Sequence, residues 1–124
     1  MSVSIYYTAR RNKPLTKEEQ QAIDSLIKEY SVEKEISEYL ETGKGFNWEP
    51  FCVYGPDPSE PDIIFEGSTR LPDNSKEAIW EGLQHWSLLL SAIRCVIPDA
   101  KWNVHVNDHE LIWDEEYSEY DLSK

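Results

Sequence analysis

The longest periodic stretch of the chain runs from Asn74 to Ile97. Its apolar residues fall at Ile79, Leu83, Trp86, Leu90, Ile93 and Ile97. Steps of four and three residues put them on one side of a helix. Leu89, Ala92 and Val96 widen that stripe. Asn74 followed by Glu77 reads as a capping box at the start. Pro98 sets the stop, because its ring disfavours helical geometry at the residue before it. A rod of this length, roughly 34 Å at about 1.5 Å per residue, needs a sheet or other helices to cover its apolar side.

The remaining segments alternate between the two periods. Val3, Ile5, Tyr7 and Ala9 alternate with Ser2, Ser4, Tyr6 and Thr8, which predicts a first strand. Thr16 with Glu19 forms a second capping box and opens a helix with Ile23, Leu26, Ile27 and Tyr30 on one face. The register breaks near Ser31. Val32, Ile36, Tyr39 and Leu40 then predict a separate short helix, or a bent continuation of the first, over 32–41, ending at Gly43. Phe51 to Tyr54 predicts a second strand and Ile63 to about Arg70 a third. Between them Gly55 to Pro61 carries three prolines in seven residues, so these two strands are expected to form a hairpin around a long turn. Gly67 marks a bulge or a close-packing point. After the long helix, Trp102, Val104 and Val106 alternate with Lys101, Asn103 and His105, a fourth strand. Asn107-Asp108 is turn chemistry. Leu111 to Trp113 predicts a short fifth strand returning beside the fourth.

Strand, helix, strand, strand, helix, strand is the order of the split βαβ arrangement. The expected fold is therefore α+β and ferredoxin-like: an antiparallel sheet with two main helices on one face, a short extra helix and a C-terminal hairpin. The 124 residues fit one domain over 1–124, with residues 115–124 an acidic tail. The one bare sheet face would meet solvent or a partner.

Charge narrows the function classes. Twelve Lys and Arg against 24 Asp and Glu give a net charge of −12. That argues against nucleic acid or an anionic membrane as the partner, since both are recognised by positive patches, and it suits a basic protein. No apolar run approaches the roughly 20 residues that span a bilayer, and the N-terminal residues do not read as a secretion signal. The expected compartment is the cytoplasm, with Cys52 and Cys95 as reduced, buried thiols. Against this background Arg10, Arg11 and Lys13 form the one basic cluster, an anion-contact candidate at the end of the first strand.

Motifs for catalysis are missing. There is no Gly-x-Ser-x-Gly elbow, no phosphate-cradling glycine loop and no Cys-x-x-Cys pair, and no cofactor is expected. His105 and His109, four residues apart with Asp108, Glu110 and Asp114 nearby, are the one combination that suggests a metal-dependent enzyme. His85, one place off the main stripe, is expected to be a hydrogen-bonded boundary residue. Aromatics are the better clue. Trp48, Trp80, Trp102 and Trp113 with Tyr6, Tyr54, Tyr117 and Tyr120 are too many for the core of so small a domain. Trp80, next to Ile79, points partly away from the stripe. Rings beside carboxylates are the anchors of protein interfaces.

In size, acidity and aromatic content the chain resembles the small acidic bacterial proteins that neutralise partner toxins, the immunity proteins. The resemblance lies in overall character, not in a motif. It implies a cytosolic binder that occludes a basic site on a partner such as a toxin. The residues expected to do so are Trp113, Asp114, Glu115, Glu116, Tyr117 and Tyr120, with Trp48 and Glu49 second. The alternative from a different class is a homodimer through the bare sheet face, enclosing a small ligand or an anion.

Overall fold

The computed structural model describes residues 3–54 and 60–122. The elements in chain order are β1 (Ser4–Arg10), α1 (Lys17–Glu29), α2 (Glu33–Thr42), β2 (Ile63–Arg70), α3 (Lys76–Val96), β3 (Lys101–Val106), β4 (His109–Glu110), β5 (Ile112–Asp114) and β6 (Glu119–Asp121). The fold is α+β. Four strands make an antiparallel sheet in the order β2-β1-β3-β4, and β5 with β6 forms a separate two-stranded sheet.

β1 is central, and its alternation sets the faces. Ile5, Tyr7 and Ala9 are fully buried. Opposite them in register stand Thr69, Gly67 and Phe65 of β2 and Val106, Val104 and Trp102 of β3. This covered face meets Ile23 of α1 and Trp86, Leu89, Leu90 and Ile93 of α3 in one cluster. The other face is bare and mostly polar, with Tyr6 stacked on His105 at 5.0 Å.

Local sequence accounts for the helices. Thr16 caps α1, and Glu19 returns the bond to the Thr16 amide, closing the expected capping box. Gly43 ends α2 in the left-handed region at φ 72°, which glycine adopts without penalty. His85 of α3 sits on the Tyr30 carbonyl, Nε2 to O 2.7 Å, and ties the end of α1 to α3 as a boundary histidine should. The start of α3 differs from expectation by one residue. Ser75 is the cap and accepts from the Ala78 amide. Asn74 instead donates to the Gly45 carbonyl, and its own amide is held by Asn47.

Two strand expectations are corrected. The segment 51–54 forms no strand: it makes a single bridge, Val53 to Gly67, the Tyr54 amide donates to the Glu66 carbonyl and the Cys52 amide to Thr69 Oγ1. Residues 55–59 of the Pro-rich turn lie outside the described residues. The segment is held largely by a side chain, because the buried Tyr7 hydroxyl reaches the Cys52 carbonyl and Thr69 Oγ1. Gly67 makes this approach possible. A Cβ there would lie 2.1 Å from the Cys52 oxygen and 2.5 Å from the Tyr7 ring. At the other end, it is His109–Glu110 that pairs with β3, not Leu111–Trp113. Leu111 donates to the Val104 carbonyl and buries its side chain, and Ile112–Asp114 turns away to pair with Glu119–Asp121. The expected acidic tail, as far as it is described, thus supplies the second strand of a hairpin. Cys52 and Cys95 are free but exposed, not buried.

The basic cluster is also corrected. Arg11 is almost fully buried, with its side chain 3% exposed. Nε donates to the Lys13 carbonyl, one terminal nitrogen to Glu19 and Asp99, and the other to Glu19 and the Pro14 carbonyl, at 2.8 to 3.1 Å. Arg10 pairs with Glu60 and Asp62, and Lys13 with Asp99. All three cations already meet carboxylates of the chain itself, so the cluster is not an open anion site.

Glu19 shows the effect of Arg11 most clearly. The guanidinium bonds, with the Thr16 amide, hold its carboxyl down at about 2, from an ordinary 4.5. A carboxyl lowered on folding adds stability that is complete above its unfolded value and is lost as pH falls through the folded one. Arg11→Met is expected to cost roughly 1–2 kcal/mol near neutral pH, less than breaking a fully buried pair, because the carboxylates left behind are partly exposed. The gap to the parent in urea unfolding should narrow as pH drops from about 4.5 to about 2. A gap that stays constant across that window would refute the assignment.

Candidate functional site

The outer side of α3 carries a second pattern, distinct from the core stripe. Trp80, Gln84, Ser87, Leu88 and Ser91 follow each other at helical spacing. Ser87 and Ser91 are buried, and their small side chains let the β5–β6 hairpin lie close against the helix. Ser91 Oγ donates to the Ser87 carbonyl at 2.7 Å and accepts the Tyr120 amide at 3.1 Å. One hydroxyl therefore satisfies a backbone donor of β6 that the two-stranded sheet leaves unpaired.

Arg94 completes the attachment. Its guanidinium carbon lies 4.3 Å from the centre of the Trp113 ring and 5.7 Å from that of Tyr120. A terminal nitrogen donates to the Tyr120 hydroxyl at 3.2 Å. Trp113 and Tyr120 themselves meet edge to face at 5.1 Å. Tyr120 is 5% exposed, and burial raises its hydroxyl pKa, partly offset by Arg94. Asp114 organises the hairpin loop, with Oδ1 accepting the amides of Glu116 and Tyr117 at 2.9 and 3.3 Å. This is the local bond that suits aspartate to turns. Ser118 takes a left-handed φ of 53° to close the loop.

Between helix and hairpin lies an open groove of about 530 Å³. Trp80, Gln84 and Leu88 form its helical wall, and Tyr117, Tyr120 and Leu122 line it from the hairpin side. Asp114, Glu119 and Asp121 supply carboxylates, and among the described residues no cationic side chain lines it. Three large apolar side chains here stay in water: Trp80 is 46%, Leu88 47% and Tyr117 68% exposed. Glu77, three places before Trp80 and on its side of the helix, adds a further acid.

The structure thus gathers part of the expected set and disperses the rest. Asp114, Tyr117 and Tyr120 share the groove, with Glu115 and Glu116 exposed at the tip of the same hairpin. Trp113 and Tyr120 are structural in the first instance, since they hold Arg94. Trp48 belongs elsewhere, edge-on to Trp86 and His85, and Glu49 faces Arg70. His105 and His109 do not converge. His105 is opposite Glu110 and Val106 opposite His109; opposed residues share a face and neighbours alternate, so the two imidazoles project to opposite faces. The His105 Nδ1 sits 2.7 Å from the Asn107 carbonyl. Among the described residues no group of three His, Cys, Asp or Glu is placed to hold a metal ion, and no helix is long and apolar enough to cross a membrane.

Leu88, Gln84 and Leu122 were not foreseeable as groove residues from the core stripe alone. The one available signal was that Leu88 falls eight places after Trp80, so any partner of Trp80 would also meet it. Comparison with protein-family models, with curated proteins and with solved structures finds no match.

Arg94 carries a specific expectation. In Arg94→Met the stem stays but the ring contact and the bond to Tyr120 are lost. Hydrogen exchange of the Tyr120 amide should speed up about tenfold, with the β1 amides keeping their protection. Unchanged exchange at Tyr120 would show that the hairpin is held without Arg94.

Proposed function

We propose that this chain is a ferredoxin-like domain whose work is to bind another protein, in the manner of the small acidic immunity proteins that occlude a basic site on a toxin. The strand order supports the fold part. If Cys52–Tyr54 is counted as the second strand, the sheet reads fourth, first, third, second, with α1 and α3 on its covered face.

The observation that carries the functional part is the exposure of Trp80, Leu88 and Tyr117 around a groove lined with carboxylates. Leaving large apolar side chains in water forgoes the gain of burying them, about 1.5–3 kcal/mol for a full side chain. A cluster of them rimmed by charge is the pattern of a binding surface. The net charge of −12 would steer a basic partner towards it and speed encounter. Two free, exposed thiols suit a reducing compartment such as the cytoplasm. The bare sheet face offers less to a second copy of the chain, because Ser4, Thr8, Glu66, Ser68 and Asn103 make it mainly polar.

The test is capture of proteins from the native host on the immobilised full chain. A stoichiometric basic partner is expected at low ionic strength, released when salt is raised. Changing Glu115, Glu116 and Glu119 together to Lys should abolish capture and leave the unfolding temperature within a few degrees, since all three are exposed. Recovery of no stoichiometric partner at low salt would sink the reading. Light scattering on the purified chain is expected to give a monomer, and a tight dimer would favour the sheet-face alternative instead.

A further inference from the structure

The groove is more specific than an acidic surface. It sets flat rings, carboxylates and short aliphatic walls side by side. Trp80, Tyr117 and Leu88 line it and remain partly exposed, Glu119 and Asp114 line it with carboxylates, and Leu122 adds a further aliphatic side chain. A purely apolar anchor would leave the carboxylates desolvated. A compact ammonium would satisfy the charge but make little use of the rings. A guanidinium uses all three: its plane stacks on aromatic faces, its fork matches carboxylates, and its methylene stem packs on leucine.

The chain already solves this problem once within its own fold. Arg94 stacks over Trp113 at 4.3 Å, lies 5.7 Å from Tyr120 and bonds the Tyr120 hydroxyl. Tyr120 also lines the groove, so the internal arginine site and the groove share a wall. The groove has the same ingredients, with the carboxylates of Asp114 and Glu119 on its lining and no arginine of the chain among its lining residues.

We infer that the groove between Trp80 and the β5–β6 hairpin receives an arginine side chain of the basic partner, the guanidinium against the rings of Trp80 and Tyr117 and its N–H groups donating to Glu119 and Asp114. This rests on the protein-binding reading and names what that surface recognises.

The test needs no partner in hand. The full chain, labelled with nitrogen-15, is titrated with N-acetyl-arginine amide, N-acetyl-lysine amide and N-acetyl-norleucine amide at matched ionic strength. The five tryptophan indoles are the reporters, with Trp80 assigned from Trp80→Phe. The arginine probe is expected to shift the Trp80 indole and the Tyr117 and Leu88 amides saturably. The lysine probe should bind about threefold or more weakly, and the norleucine probe should leave these signals in place. Trp80→Ala, at a half-exposed position that leaves the core intact, should weaken the arginine probe about 3–5-fold, and Glu119→Gln should weaken it too. Equal response to arginine and norleucine would mean an apolar slot. Equal response to arginine and lysine, shifts scattered over acidic residues without Trp80, or no shift at all would likewise overturn the assignment. Each of these leaves a captured host partner standing. Conversely, arginine binding in a chain that captures no partner would overturn the protein-binding reading alone.

Discussion

Burial of one guanidinium fixes the frame. The five N–H groups of Arg11 point at five oxygens, contributed by the residues that follow β1, by the first turn of α1 and by the turn between α3 and β3. A charge removed from water is a liability unless its hydrogen bonds are complete and its opposite charges are close. Here both conditions hold, and the requirement becomes a constraint on geometry. The end of the central strand, the start of α1 and the end of α3 cannot shift independently without leaving one of those donors unpaired. β2 and β3 take their registers from β1, so the covered face and the position of α3 above it follow from the same point.

With α3 fixed from below, its outer side becomes a platform. Ser87 and Ser91 interrupt what would otherwise be a greasy surface and give the C-terminal hairpin a place to dock, with Ser91 supplying the acceptor that the Tyr120 amide needs. Arg94, whose neighbours are two rings and a tyrosine hydroxyl, secures the hairpin at the end of the helix away from Trp80. The groove is therefore bounded by two rigid elements and by one loop held by its own Asp114. Sites set on packed elements keep their shape in the absence of a ligand, which reduces the ordering cost of binding.

The helices and the central strands were legible in the sequence because each carries a strong period and its own end signals: Thr16 with Glu19, Gly43, Pro98, and the alternation through Ile5, Tyr7 and Ala9. The misjudged places are those where a tertiary contact overrode a local preference. Residues 51–54 look like a strand, yet a tyrosine hydroxyl and a glycine hold them in place of a ladder. Arg10, Arg11 and Lys13 look like an anion site, yet acids distant in sequence neutralise them, Asp99 being 88 positions from Arg11. Trp113 and Tyr120 read as surface aromatics, and no local rule reveals that Arg94 packs against both while Tyr120 also lines the groove. Trp80 was readable as off-stripe. Its partners across the groove were not, because the docking of the hairpin depends on two serines that carry no periodic signal.

The attachment of Cys52–Tyr54 to the sheet has a consequence for how such a chain can diverge. The segment borders β2 through one bridge, the Tyr54 amide and the hydroxyls of Tyr7 and Thr69, and the residues before it are anchored by Asn47, Trp48 and Phe51. Any side chain at residue 67 would push the Cys52 carbonyl and the Tyr7 ring aside, so β2 and the segment beside it can change only together. The glycine and the segment it accommodates would then drift as one unit, and a change at residue 67 in a related chain would call for a compensating shift at residues 51–54.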